Sequence, residues 1–125
     1  MGLLDSFFGK KPPKTCVCIC LVPERFCRDL DKQKLDKVLR AYASLTALPV
    51  VRRFHLESPE AKRIRYHPDS NPPSVTFAWT IPEDIEKDVI RMTRECWQKI
   101  TEINDQEGLE GMLAHDAKMR SSPHA

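Results

Sequence analysis

The chain has 125 residues, 41% of them hydrophobic and 30% charged, which is ordinary for a globular domain able to bury a core without staples. No stretch approaches the ~18 apolar residues of a membrane span. Five cysteines, an odd number, fit a reducing compartment better than a disulfide framework. The net charge of +2 hides an asymmetry: residues 1–82 hold 14 Lys/Arg against 8 Asp/Glu, and residues 83–116 hold 4 against 10. Such a split predicts a dipolar surface.

Residues 1–14, "MGLLDSFFGKKPPK", read as a short amphipathic helix and a Pro/Lys tether. Leu3, Leu4, Phe7 and Phe8 share one helical face. They suit contact with a membrane surface or a partner, or packing on the chain's own domain. Met1-Gly2 with Ser6 also fits the permissive myristoylation pattern. Residues 16–22 after the lysines mimic a signal-peptide core, but Pro23-Glu24-Arg25 replaces the small-residue cleavage site. The expected location is therefore cytoplasmic, with peripheral membrane contact as an option.

Residues 15–22 predict the first strand. A helical region follows over 24–47, broken near residue 30 where Asp31 caps its second piece, and ended by Pro49. "VVRRFHLE", residues 50–57, alternates and predicts a second strand; residues 58–73 then read as a loop. Residues 74–81 alternate cleanly, with Val75, Phe77, Trp79 and Ile81 on one side. Thr80 to Glu83 has the capping-box pattern, ahead of a helix over 82–104 whose stripe is Ile85, Val89, Met92, Cys96, Ile100 and Ile103. Gly108 and Gly111 punctuate a weaker helix to about residue 118. The domain reading is a tether (1–14), one α+β domain (15–118) and a disordered tail (119–125).

The order β-α-β-β-α-α predicts an α+β fold: a small antiparallel or mixed three-stranded sheet, a split βαβ, ferredoxin-like variant, with helices on one face. Val17, Ile19 and Leu21 are then expected under the helices with Phe54, Val75, Phe77 and Trp79. Cys16, Cys18 and Cys20 fall on the other face. Alternate residues of a strand lie about 6.6 Å apart on one side, too far for two thiolates to share a zinc ion bound at ~2.3 Å. Structural packing is the expectation, against a metal site or redox chemistry. The predicted open face comprises Cys16, Cys18, Cys20, His55, Thr76 and Ala78. An uncovered apolar face marks an interface, so a homodimer or protein partner is expected there, with a covering C-terminal segment as the alternative. His55 beside a cysteine would also allow an activated thiolate.

Arg52, Arg53, Lys62, Arg63, Arg65 and His67, interleaved with Phe54 and Tyr66, form the candidate anion or partner contact. "RYHPDSNPP", residues 65–73, resembles the His-Pro-Asp loop of J-domain co-chaperones through Tyr66, His67, Pro68, Asp69, Asn71 and Pro72. The resemblance implies that His67, Pro68 and Asp69 contact a heat-shock chaperone. It covers nine residues; Ser58-Pro59 shortens the preceding helix, and a strand follows where the family has its third helix. The residues themselves read as a turn.

No P-loop, dinucleotide fingerprint, paired zinc motif or glycine-flanked nucleophile occurs, so no cofactor and no metal are expected. The functional expectation is a small non-enzymatic interaction module, self-associating through the open sheet face and docked by its N-terminus. One alternative is a dimeric ferredoxin-like ligand-binding protein or enzyme with a His/Cys-lined pocket. Another is a nucleic-acid or anion binder using residues 52–65.

Overall fold

The computed structural model describes residues 13–121; the apolar quartet Leu3, Leu4, Phe7 and Phe8 lies outside them. In chain order come β1 (Lys14–Leu21), α1 (Lys32–Phe54), β2 (Lys62–His67), β3 (Ser74–Ile81) and α2 (Glu86–Ser121). Single 3-10 turns stand at Glu24–Phe26, Pro59–Ala61 and Glu83–Ile85. The sheet order is β1-β3-β2 and both pairings are antiparallel. β1 and β2 therefore run the same way on either side of β3, joined by the crossover through α1. The result is an α+β fold with an open three-stranded sheet and two helices.

α1 starts where Asp31 accepts a hydrogen bond from the Lys34 amide at 2.7 Å, the expected N-cap. It does not stop at Pro49. Leu39, Tyr42, Ala43, Thr46, Ala47, Val50 and Val51 are all buried at three- and four-residue spacings, and Phe54 extends the stripe. That 3.6-residue repeat outweighs the two-residue alternation of residues 50–57, which already had Arg52 as an exception. The proline ring removes one amide donor, and packing carries the helix past it. The helix ends at His55, whose backbone is left-handed (φ 58, ψ 51).

The second strand lies instead at residues 62–67, inside the expected loop. Arg63 and Arg65 are exposed while Ile64 and Tyr66 are half-buried. Charged side chains suit an edge strand because they discourage pairing with other chains; they also hide it from a hydrophobicity reading. The His-Pro-Asp stretch falls at the β2–β3 turn. There the Ser70 amide donates to the His67 carbonyl at 3.4 Å and the Ser70 hydroxyl donates to the same carbonyl at 2.9 Å. It is a hairpin connection rather than the helical hairpin of the co-chaperones.

β3 occupies the centre, with Val75, Phe77, Trp79 and Ile81 buried beneath the sheet. Across the β1–β3 ladder, Cys16 opposes Trp79, Cys18 opposes Phe77 and Cys20 opposes Val75. Residues directly opposite in a sheet point to the same side. The cysteines therefore face the helices, the reverse of the expected orientation. The cause is volume. Phe77 lies against Trp79 on its own strand and against Trp97 from α2, and Trp97 lies 4.4 Å from Tyr42 of α1 by ring centroids. Next to that aromatic layer β1 can insert only small side chains, and close packing forbids overfilling.

α2 also shifts its buried stripe by a residue. Val89, Thr93, Trp97 and Ile100 are buried; Met92, Cys96 and Ile103 sit at the margin. The Trp97 indole Nε1 donates to the Leu21 carbonyl at 2.9 Å, and the Tyr42 and Thr101 hydroxyls share a buried hydrogen bond of 3.1 Å. Thr80 does not cap this helix: its hydroxyl pairs with that of Thr15 at 3.0 Å, across the sheet. The weaker helix expected after Gly108 is present as a second segment beyond a kink (φ 76, ψ 176 at Gly108). It reaches Ser121, so residues 119–121 are helical rather than part of a disordered tail. Met112 is buried and Arg120 donates to the Ser44 hydroxyl at 2.9 Å, which folds this segment back onto α1. The Gly108 backbone conformation is one that essentially only glycine adopts, so Gly108→Ala should lower the unfolding free energy by about 1–3 kcal/mol in urea titration.

Candidate functional site: the open sheet face

The face of the sheet turned away from the helices is built in three columns. On β1 stand Val17, Ile19 and Leu21, exposed at 55%, 66% and 52%, whereas Cys16, Cys18 and Cys20 are exposed at 7%, 1% and 6%. β3 supplies a floor of small side chains, Thr76, Ala78 and Thr80, all half-buried. β2 supplies Arg63, Arg65 and His67. The ladders align these into rows: Leu21–Ser74–His67, Ile19–Thr76–Arg65 and Val17–Ala78–Arg63. The His67 ring Nε2 lies 2.9 Å from the Thr76 hydroxyl, which fixes the imidazole against the floor.

Of the six expected open-face residues, Thr76 and Ala78 lie on this face. Cys16, Cys18 and Cys20 are a correction: their sulfurs lie under the sheet. His55 is another, because it caps α1 instead of standing in a strand. The His–Cys pair proposed for an activated thiolate is therefore not assembled. Val17, Ile19 and Leu21 are the residues the sequence reading misplaced. The usable signal was the period-two match between the thiols and the rings of β3, since two bulky columns cannot both point inward.

The six expected anion contacts are also divided. Arg63, Arg65 and His67 share the open face. Lys62 is half-buried opposite Trp79, though it joins Arg63, Glu60, Thr15 and Thr80 around a cavity of about 160 Å³ at the lower end of the sheet. Arg52 and Arg53 belong to the last turn of α1; Arg53 lies over the Phe54 ring and lines a groove with Asp88 and Glu95 of α2. The stretch 52–65 is thus not one contact segment.

The ion pairs of the described surface lie away from the open face. Lys14 pairs with Glu86, Arg25 with Asp105, Lys34 with Glu110, Arg40 with Asp36, Arg91 with Asp88 and Arg120 with Asp116. No carboxylate pairs with Arg63 or Arg65 among the described residues. Glu60, at the corner, accepts a hydrogen bond from the Ser58 hydroxyl, which holds its carboxyl below the usual range. Among the described residues no Phe, Tyr or Trp ring lies on this face, and its one ring is the His67 imidazole: Tyr66, Phe77, Trp79 and Trp97 lie on the helix side, and Tyr66 there carries Arg40 at 4.7 Å.

Burial raises the pKa of every cysteine, Cys20 furthest, to about 12. Burial and a retained proton make the three strand thiols poor nucleophiles and poor metal ligands. Among the described residues no three His, Cys, Asp or Glu side chains converge as a metal site would require. No described helix is long and apolar enough to cross a membrane. Comparison of the chain with protein-family models, with curated proteins and with solved structures finds no match.

The β1 orientation predicts opposite responses from neighbouring residues. Ile19→Ser should change stability by no more than about 0.5 kcal/mol, whereas Cys18→Leu should overfill the core and cost about 1–3 kcal/mol in chemical denaturation. A disulfide-exchange reagent at pH 8 should reach the half-buried Cys27 and Cys96 first, and the three strand thiols only after unfolding in urea. Cys20 keeps its proton to about pH 12 when folded but loses it near 9.0 when unfolded. Its contribution to stability should thus be complete below about pH 9 and fade as the pH rises toward 12, measurable by comparing wild type with Cys20→Ala.

Proposed function

We propose that this chain is a small non-enzymatic protein-interaction module whose docking surface is the open sheet face. The observation that carries this reading is the run of Val17, Ile19 and Leu21, the large hydrophobics exposed on the described surface, on a face no other described element covers. A contiguous apolar strip of that kind is a usual mark of an interface. Among the described residues no Phe, Tyr or Trp stands beside Arg63 and Arg65, and the one neighbouring ring, His67, is tied to Thr76; this supports protein docking over a single-stranded nucleic-acid platform, which relies on base–aromatic stacking. A His/Cys-lined pocket, the enzymatic alternative, has no support once the sulfurs lie under the sheet.

Self-association is the simplest use of the face, and it is weak in this reading. Three strands at ~4.8 Å spacing and eight residues at ~3.4 Å rise give a footprint on the order of 400 Å². A stable interface covers about 800 Å² per partner. Two copies face to face would also bring four arginines together without a carboxylate. The protein should therefore be a monomer at low micromolar concentration and form dimers only as the concentration rises. Salt should strengthen that dimer by screening the arginines, and Ile19→Glu should abolish it. Sedimentation velocity over a concentration and salt series checks both. A dimer equally stable in Ile19→Glu would remove the sheet face from the contact.

A further inference from the structure

We infer that the open sheet face receives an amphipathic helix of a partner protein, one with an apolar row beside a row of carboxylates. This rests on the docking role proposed above and names its partner. The face is a trough. Its walls are the aliphatic column on β1 and the cationic column on β2, and its floor is Thr76, Ala78 and Thr80. The two walls are two strand spacings apart, ~9.6 Å, which matches the ~10 Å diameter of an α-helix. A helix laid along β3 would rest on small side chains and touch both walls.

The spacing along the walls fits as well. Arg63 and Arg65 are two residues apart in a strand, ~6.6 Å. Carboxylates four residues apart on a helix are separated by ~6.0 Å along its axis. Each guanidinium can then take one carboxylate in a forked pair. On the other wall Val17, Ile19 and Leu21 span about 13 Å, which is two to three helical turns of apolar side chains.

Charge decides against the other occupants. A second copy docked through the same face places arginine against aliphatic or arginine. The residues preceding Pro13 carry Lys10 and Lys11 against one acid, Asp5, the wrong balance for a cationic wall. Five acids of α2, Glu86, Asp88, Asp105, Glu110 and Asp116, are already held by a basic partner. A row of carboxylates on a partner helix supplies the negative charge that this face lacks.

The test uses the full chain, isotope-labelled, and two blocked helical peptides of about 15 residues. Both carry leucines along one face. One places glutamates at i and i+4 beside them; the other places lysines there. Amide shifts are followed in each titration, and sedimentation is run on the same samples. The expected result is saturable shifts at Val17, Ile19, Thr76 and Arg65 with the glutamate peptide, weakening as salt rises. The lysine peptide should bind at least about tenfold more weakly, and the exposed double variant Arg63→Glu with Arg65→Glu should reverse the preference. Equal binding of both peptides, or shifts elsewhere, overturns the acidic-helix inference. If neither peptide binds but dilution shifts the same residues, the inference fails and docking through the face, by a second copy, survives. If the face responds to neither peptide nor dilution, both readings fall.

Discussion

Everything on the outer surface of this sheet follows from how side-chain volume is shared across the β1–β3 ladder. β3 sends Phe77 and Trp79 inward, and the helices add Tyr42 and Trp97 from the other side. Burying each such side chain contributes about 1.5–3 kcal/mol, and these four are the bulkiest in the core. What remains beside it is a narrow slot, and sulfur fills it well: a thiol is small, apolar and polarizable. Strand geometry then leaves no freedom. With cysteine inward at every second position, the intervening valine, isoleucine and leucine must face outward. The exposed strip is the geometric remainder of a well-filled core.

The charge asymmetry of the sequence acts within the fold. Lys14, Arg25 and Lys34, from the basic part of the chain, each pair with an acid of α2. These exposed contacts are worth only about 0–1 kcal/mol apiece. Their collective effect is on distribution: these three pairs set basic residues of the first part of the chain against acids of α2 along the helical layer. β2 takes no part in that exchange through Arg63 or Arg65, which leaves two exposed guanidinium groups side by side at one edge of the sheet.

Much of the architecture was readable before any coordinates. The Asp31 cap, the central strand at 74–81, the inward set Val75, Phe77 and Trp79, and the break at Gly108 all carry strong local signals. The failures have a common origin in tertiary context. Pro49 is a helix breaker by intrinsic preference, yet buried Val50 and Val51 keep the helix intact. Residues 62–67 look like a loop because an edge strand tolerates charge on its exposed side. Thr80 matches a capping pattern but is already committed to the sheet through Thr15. The candidate site was half legible. Its floor, Thr76 and Ala78, and part of its cationic wall could be named, but its aliphatic wall was assigned to the core, because hydrophobicity alone ranks isoleucine above cysteine for burial.

The bond from Trp97 to Leu21 has a wider consequence for how this protein behaves among its own copies. The Val22 amide bonds the Pro73 carbonyl at 2.8 Å. By the alternation of antiparallel ladders, the neighbouring Leu21 peptide groups therefore point off the rim of the sheet. A rim with free carbonyls invites another chain to add on. The indole occupies one of them, so a core aromatic also acts as a stopper against runaway strand growth, guarding the greasiest stretch of the molecule at its far end.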